Sequence, residues 1–173
     1  MHSMGERVRF EGELLPAVKL LEAQKLSVHD VIQPDGTVIA CVGVDREAYH
    51  AGKSVFTFPG DPASELHDLN RSFLGCEMLV AGDHDYGSFL RAIQATDCYT
   101  EAQYRSAGWL YAGWLAAFGF PRTHVVAHSA VSGDDVRGEG NGKQDPGRGW
   151  QWERLWGWVD TWETEFATAQ VSA

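Results

Sequence analysis

The stretch Val125-Val126-Ala127-His128-Ser129, with Asp145 seventeen residues beyond the histidine in Lys143-Gln144-Asp145-Pro146-Gly147, organises the reading of this chain. An apolar run ending in a histidine reads as a short buried strand that delivers an imidazole to a loop at the rim of a sheet. Asp145 lies in a glycine-rich loop stopped by Pro146, which lets its carboxylate fold back toward that imidazole. Singly, each residue has an ordinary reading. His128 alone is a satisfied structural histidine, Asp145 an Asx-turn residue before Pro146, and Lys143 a solvated surface lysine. Their linkage is what suggests a shared site.

Outward from this segment the pattern alternates between helix and strand. Apolar residues at 14, 15, 18, 20 and 21 predict an amphipathic helix over residues 14–24. Two β-rich runs, 27–33 and 37–42, flank Pro34-Asp35-Gly36, the composition of a hairpin turn. Residues 48–70 carry Pro59, Pro62 and several glycines and read as a long irregular connection, the kind of loop that carries function. Residues 73–80 form an apolar run suited to a central strand. Thr100-Glu101-Ala102-Gln103 is a capping box opening a helix to Phe118, with Gly119 as its stop and Pro121 just beyond. A glycine-rich loop over 129–149 precedes a closing helix from Trp150 to about Phe166. The order α-β-β-β-α-β-α implies a mixed α/β fold, one domain over residues 1–173, with a single central mixed β-sheet flanked by helices.

Composition narrows the function. The 173 residues include 14 basic and 24 acidic side chains, a net charge of −10. That excludes nucleic-acid binding through a basic face and gives no attraction to anionic membranes or wall polymers. Cys41, Cys76 and Cys98 are odd in number and lack CxxC spacing, so free thiols are expected rather than a disulfide framework or zinc ribbon. No secretory signal pattern opens the chain, and no run reaches the roughly eighteen apolar residues of a membrane span. A soluble monomer without membrane insertion is the expectation.

One further imidazole beside His128 and Asp145 completes a three-ligand site with an open position for water, the arrangement of a catalytic zinc. The best candidate is His2. Glu77 is an ionisable residue inside the apolar run Phe73-Leu74-Gly75-Cys76-Glu77-Met78-Leu79-Val80. Buried, it has a raised pKa and suits a general base; at an edge, it simply faces solvent. His50, in the long loop, binds substrate, ligates metal or does neither. His29, His67, His84 and His124 lack a supporting pattern and read as surface or packing residues. Most of the seven tryptophans read as core, with Trp150 beside the glycine loop kept as a groove residue.

Together these segments resemble the zinc-dependent N-acetylmuramoyl-L-alanine amidases, which include phage amidase endolysins, cytosolic anhydro-muropeptide amidases and peptidoglycan recognition proteins. The resemblance runs from His2 to Trp158. It rests on His2-Ser3-Met4-Gly5-Glu6, Ser27-Val28-His29, His50-Ala51-Gly52-Lys53-Ser54 with Tyr49 replacing the family's tryptophan, and Asn70-Arg71-Ser72-Phe73-Leu74-Gly75-Cys76-Glu77. Tyr99-Thr100-Glu101-Ala102-Gln103-Tyr104, Val-Val-Ala-His-Ser and Lys-x-Asp-Pro-Gly complete the series in the family's order. The resemblance implies zinc held by His2, His128 and Asp145, with Glu77 as general base and Lys143 near the scissile carbonyl. It also implies peptidoglycan or muropeptide as substrate, with His50, Asn70 and Trp150 as substrate contacts. The implied role is that of a bacteriolytic phage or prophage endolysin released through a holin-made lesion. The alternatives are a cytosolic recycling amidase, or a non-catalytic peptidoglycan-binding protein on the same fold. Two departures stand out. Family members lead into the first histidine with a strand, whereas here only Met1 precedes His2; an extension upstream of Met1, or weakened metal affinity, is therefore expected. The segment between His128 and Asp145 is also longer than in many relatives.

Overall fold

The structure of the protein, a computed structural model, describes residues 1–171. In chain order it contains strands β1 (His2–Phe10) and β2 (Glu13–Pro16), helix α1 (Ala17–Ala23), and strands β3 (Asp30–Ile32), β4 (Val38–Ala40), β5 (Val55–Thr57), β6 (Glu65–His67) and β7 (Cys76–His84). Helices α2 (Tyr86–Ala92), α3 (Glu101–Phe118), α4 (His128–Val131), α5 (Asp134–Arg137) and α6 (Trp152–Val171) follow. The main sheet has the order β2-β1-β7-β3-β4, and β5 and β6 pair as a separate hairpin. β7 is central and parallel to both β1 and β3, while β2 and β4 add antiparallel edges. The expected mixed sheet flanked by helices is therefore present.

The sheet's two faces follow from the alternation of side chains along a strand. Cys76, Met78 and Val80 of β7 join Ile32 in the larger core, against Phe89 of α2, Tyr104, Ala107 and Tyr111 of α3, and Leu155 and Val159 of α6. Leu79 and Val31 lie on the opposite face, with Ala17 and Leu21 of α1. Glu77 shares this second face by the same alternation.

α3 forms as its signals predict. Thr100 Oγ1 accepts from the Gln103 backbone N–H at 3.1 Å, and Gln103 Oε1 accepts from the Thr100 N–H at 3.0 Å. Gly119 ends the helix in a left-handed conformation, φ 67°. Gln103 is fully buried and also donates through Nε2 to the carbonyls of Ile32 (3.2 Å) and Leu79 (2.8 Å), tying the helix start to the sheet. The β3–β4 turn matches its composition too. Asp35 Oδ1 accepts from the Thr37 N–H at 2.8 Å, and Gly36 sits at φ 87°.

Several expectations are corrected. The helix expected over 14–24 starts only at Ala17, because Leu14 and Leu15 pair with Arg9 and Val8 in β2 and Pro16 turns the chain into the helix. The central strand begins at Cys76 rather than residue 73 and continues to His84. The connection over 48–70 holds the β5–β6 hairpin, and the loop over 129–149 holds α4 and α5. Residues 125–127 are not a strand. They are extended, and their link to the sheet runs through Met1, with the Met1 nitrogen donating to the Val126 carbonyl at 2.8 Å and His128 N–H to the Met1 carbonyl at 2.9 Å. His128 then opens α4. His2 is the first residue of β1, and its backbone support comes from the strand that follows it.

α6 packs closely along α3. A Cβ on Gly108 would lie 2.4 Å from Trp158 Cβ and 2.9 Å from its backbone carbon, whereas a Cβ on Gly113 of the same helix meets nothing within 4 Å. Glycine inside a helix costs about 1 kcal/mol relative to alanine, and overpacking costs about 1–3 kcal/mol. Gly113→Ala is therefore expected to raise unfolding stability by up to about 1 kcal/mol, and Gly108→Ala to lower it by about 1–2 kcal/mol, once helix preference is set against the clash. Urea denaturation of the two variants checks this; equal shifts would show that the helices do not approach at Gly108.

Candidate metal site

His2, His128 and Asp145 come from three separate parts of the chain and are brought together by backbone pairing. The register of β1 on β7 sets His2 opposite Glu77, with Val31 of β3 on the other side of Glu77. Met1 holds the Val126–His128 segment at the same end of the sheet. Asp145 is fixed twice. Its carbonyl accepts from the Ser129 N–H at 3.0 Å, and its Oδ2 accepts from the Ser3 N–H at 3.2 Å. Asp145 Oδ2 then lies 3.1 Å from His128 Nδ1 and 3.9 Å from His2 Nδ1. The rings of His2 and His128 are tilted against one another with centroids 4.1 Å apart.

One donor atom from each of the three residues falls within 4.8 Å of the others, and all three side chains are buried. Two imidazoles and one carboxylate are the donor set of a three-ligand zinc site. The electrostatics suit a cation. Burial, with His128 beside it, pushes the His2 pKa well below the ordinary imidazole value, so its ring is neutral and offers a lone pair. Burial works against the Asp145 carboxylate, but the His128 hydrogen bond and the Ser3 N–H hold its pKa below the usual value. Glu77, 6 % exposed, behaves oppositely. Desolvation, with Asp145 adding like charge, lifts its carboxyl well above the usual range. Glu77 is thus the buried carboxylate of the two readings, not the solvent-facing one.

A groove of about 330 Å³ opens over this cluster, with His2, Glu77, His128, Lys143 and Asp145 in its lining and Tyr49 and Tyr86 on its walls. Lys143 is half-buried and held by its backbone N–H on the Ser132 carbonyl at 2.9 Å. The expected substrate contacts fare differently. Asn70 Oδ1 accepts from the backbone N–H groups of His50 (3.0 Å), Ala51 (2.8 Å) and Gly52 (3.4 Å), so it braces the loop instead of facing the groove. Trp150 is a core side chain, 5 % exposed and stacked on Tyr104 at 4.6 Å, because the chain entering α6 turns it inward. His50 stands against His2, with Nδ1 2.9 Å from His2 Nε2. His29 is a buried packing residue that accepts the Gly75 N–H and bonds the Arg46 carbonyl.

Backbone atoms complete the site and carry no side-chain signal: the Ser3 N–H on Asp145, the Ala51 carbonyl 3.4 Å from His128 Nε2, and the Phe73 carbonyl 3.0 Å from His50 Nε2. Arg137 was likewise unmarked. It donates to the Ala51 carbonyl at 3.2 Å and to Ser132 Oγ at 2.5 Å, pinning the same loop.

Fold and site together define a mixed α/β protein with a buried His-His-Asp cluster at one end of its parallel strands. Residues 4–148 match the N-acetylmuramoyl-L-alanine amidase family, and the chain belongs to that family. The match takes in Glu77, His128, Lys143 and Asp145, with His2 just ahead of it. The crystal structure of a selenomethionine AmpD derivative is similar in fold, with a TM-score of 0.55 and 22% sequence identity, over 77% of this chain and 59% of that one. The chain thus spans about three fifths of the length of that relative. Among curated proteins, none matches this chain.

The raised Glu77 pKa has a stability consequence. Folding favours the protonated carboxyl, so its contribution is fully present below the ordinary value of 4.5 and is lost as pH rises through the folded-state pKa. In chelator, Glu77→Gln is therefore expected to be more stable than the unsubstituted protein at pH 8, with the difference narrowing as pH falls toward 5. Urea midpoints across this range check it; a difference that is constant or grows on acidification contradicts it.

Proposed function

We propose that this protein is a zinc-dependent amidase that hydrolyses the amide joining the lactyl group of N-acetylmuramic acid to the L-alanine of the peptidoglycan stem peptide. The observation that carries the reading is the convergence of His2, His128 and Asp145 on one point, with buried Glu77 in register beside His2. Family membership supports the substrate class. His2, His128 and Asp145 are the residues to hold zinc. When bound, the metal supplies Lewis-acid polarisation and lowers the pKa of water from about 16 to about 7.

The chain's own residues do the rest. The Glu77 carboxylate takes a proton from the attacking water and passes it to the departing L-alanine amine. Burial keeps that carboxyl's proton affinity high enough for both transfers. The Lys143 ammonium, on the groove wall, stabilises the negative oxygen that develops on the scissile carbonyl. The bond broken is the amide C–N; the products are the lactyl carboxylate and a free stem peptide. Retention of all three ligands favours an enzyme over a binding protein on the same fold.

The cellular role proposed is wall lysis by an endolysin reaching peptidoglycan through a holin-made lesion. Release of stem peptides from intact sacculi supports it, whereas hydrolysis confined to soluble anhydro-muropeptides points to cytosolic recycling.

His128→Ala and Asp145→Ala are expected to abolish both zinc retention and hydrolysis. Glu77→Ala is expected to keep zinc and lose about 10²–10⁴-fold in kcat, the usual contribution of a general base. Chelator removes activity and added zinc restores it. Metal analysis alongside muropeptide release by chromatography tests the set. Near-full turnover in Glu77→Ala, or activity without metal, overturns the assignment.

A further inference from the structure

His50 was expected to touch substrate. Both of its ring nitrogens are already committed inside the protein: Nε2 lies 3.0 Å from the Phe73 carbonyl and Nδ1 lies 2.9 Å from His2 Nε2. The ring is also wedged in place. A Cβ on Gly75 would lie 2.6 Å from His50 Cγ, so only glycine leaves room for it there. Asn70 clamps the backbone of residues 50–52.

Hydrogen-bond chemistry fixes the protons along this chain. A carbonyl only accepts, so the His50 proton facing Phe73 must sit on Nε2. The ring's contacts are the Phe73 carbonyl and the imidazoles of His2 and His29, and no carboxylate among the described residues bonds it, so the largely buried ring is held neutral. A neutral ring carrying its proton on Nε2 presents a lone pair at Nδ1. The His2 nitrogen facing it must therefore donate, which places the His2 proton on Nε2 and its lone pair on Nδ1. Nδ1 is the atom that faces Asp145, at 3.9 Å. His128 differs: its Nδ1, 3.1 Å from Asp145 Oδ2, bonds that carboxylate directly, while its Nε2 lies 3.4 Å from the Ala51 carbonyl.

We propose that His50 is a positioning residue: a Phe73 carbonyl–His50–His2 relay locks His2 in the Nε2–H tautomer and aims its Nδ1 at the metal. Partners of this kind fix ring tautomer and orientation in metal sites, and their loss lowers metal affinity about 10- to 100-fold. The inference rests on the zinc reading above for its consequence, but the relay itself belongs to the metal-free protein.

Two substitutions in the full chain separate the relay from mere packing. Asparagine places an oxygen near the position of His50 Nδ1 and keeps an acceptor for His2. Glutamine places its amide near Nε2, keeping the donor to Phe73 and losing the acceptor. His50→Asn is expected to bind zinc within about threefold of the unsubstituted protein, and His50→Gln about 10- to 100-fold more weakly, by chelator competition. Long-range ¹H–¹⁵N NMR on the zinc-free protein is expected to report His2 as the Nε2–H tautomer, retained in His50→Asn and mixed in His50→Gln. A Nδ1–H tautomer of His2 in the unsubstituted protein overturns the proposal, as does full zinc affinity in His50→Gln. If the unsubstituted protein takes up no zinc, the functional reading fails, while the tautomer measurement still decides the relay.

Discussion

The parallel register between β1 and β7 is the constraint on which the site depends. It sets His2 opposite Glu77 and so places a candidate ligand and a candidate base side by side on one face of the sheet. A slip of β1 by one residue would turn His2 to the other face, toward the core occupied by Cys76 and Met78, and part it from Glu77. The same pairing carries Ser3, whose N–H holds Asp145, and Met1, whose backbone holds the segment leading to His128. Three residues at the start of one strand therefore gather contributions from the centre and the far end of the chain.

Burial gives this small cluster its chemical character. The same desolvation that keeps His2 neutral raises Glu77, and only Asp145, which has an imidazole and a backbone N–H to offset it, remains a ready anion. Two carboxylates in one pocket are thus pushed apart in proton affinity by their partners. The division suits a ligand and a proton carrier. It also explains why a cation is a fitting occupant: a buried carboxylate beside the neutral His2 imidazole is a site in want of positive charge.

Much of this was legible from side-chain identity. The mixed sheet, the β3–β4 turn, the capped helix α3 and the grouping of His2, His128 and Asp145 all rest on residues with strong local signals. What escaped the reading depends on partners distant in sequence. Val125–Ala127 has the composition of a strand, yet it finds one residue, Met1, to pair with. Leu14 and Leu15 carry a helical period but pair with β1, because the tight reversal at Glu11–Gly12, both at positive φ, returns the chain antiparallel. Trp150 lies next to a glycine loop in sequence, but its ring fills the space between Tyr99 and Tyr104. Asn70 braces the loop through the backbone N–H groups of residues 50–52, and His50 lines the groove while bonding His2, and neither partnership leaves a trace in composition.

The central claim is that His2, His128 and Asp145 share one zinc ion. Diffraction from zinc-loaded crystals, with anomalous data across the zinc absorption edge, tests it most directly. The account predicts a single strong peak about 2.0–2.2 Å from Nδ1 of both histidines and from an Asp145 carboxylate oxygen. A peak elsewhere in the molecule, or none at this cluster, would contradict it.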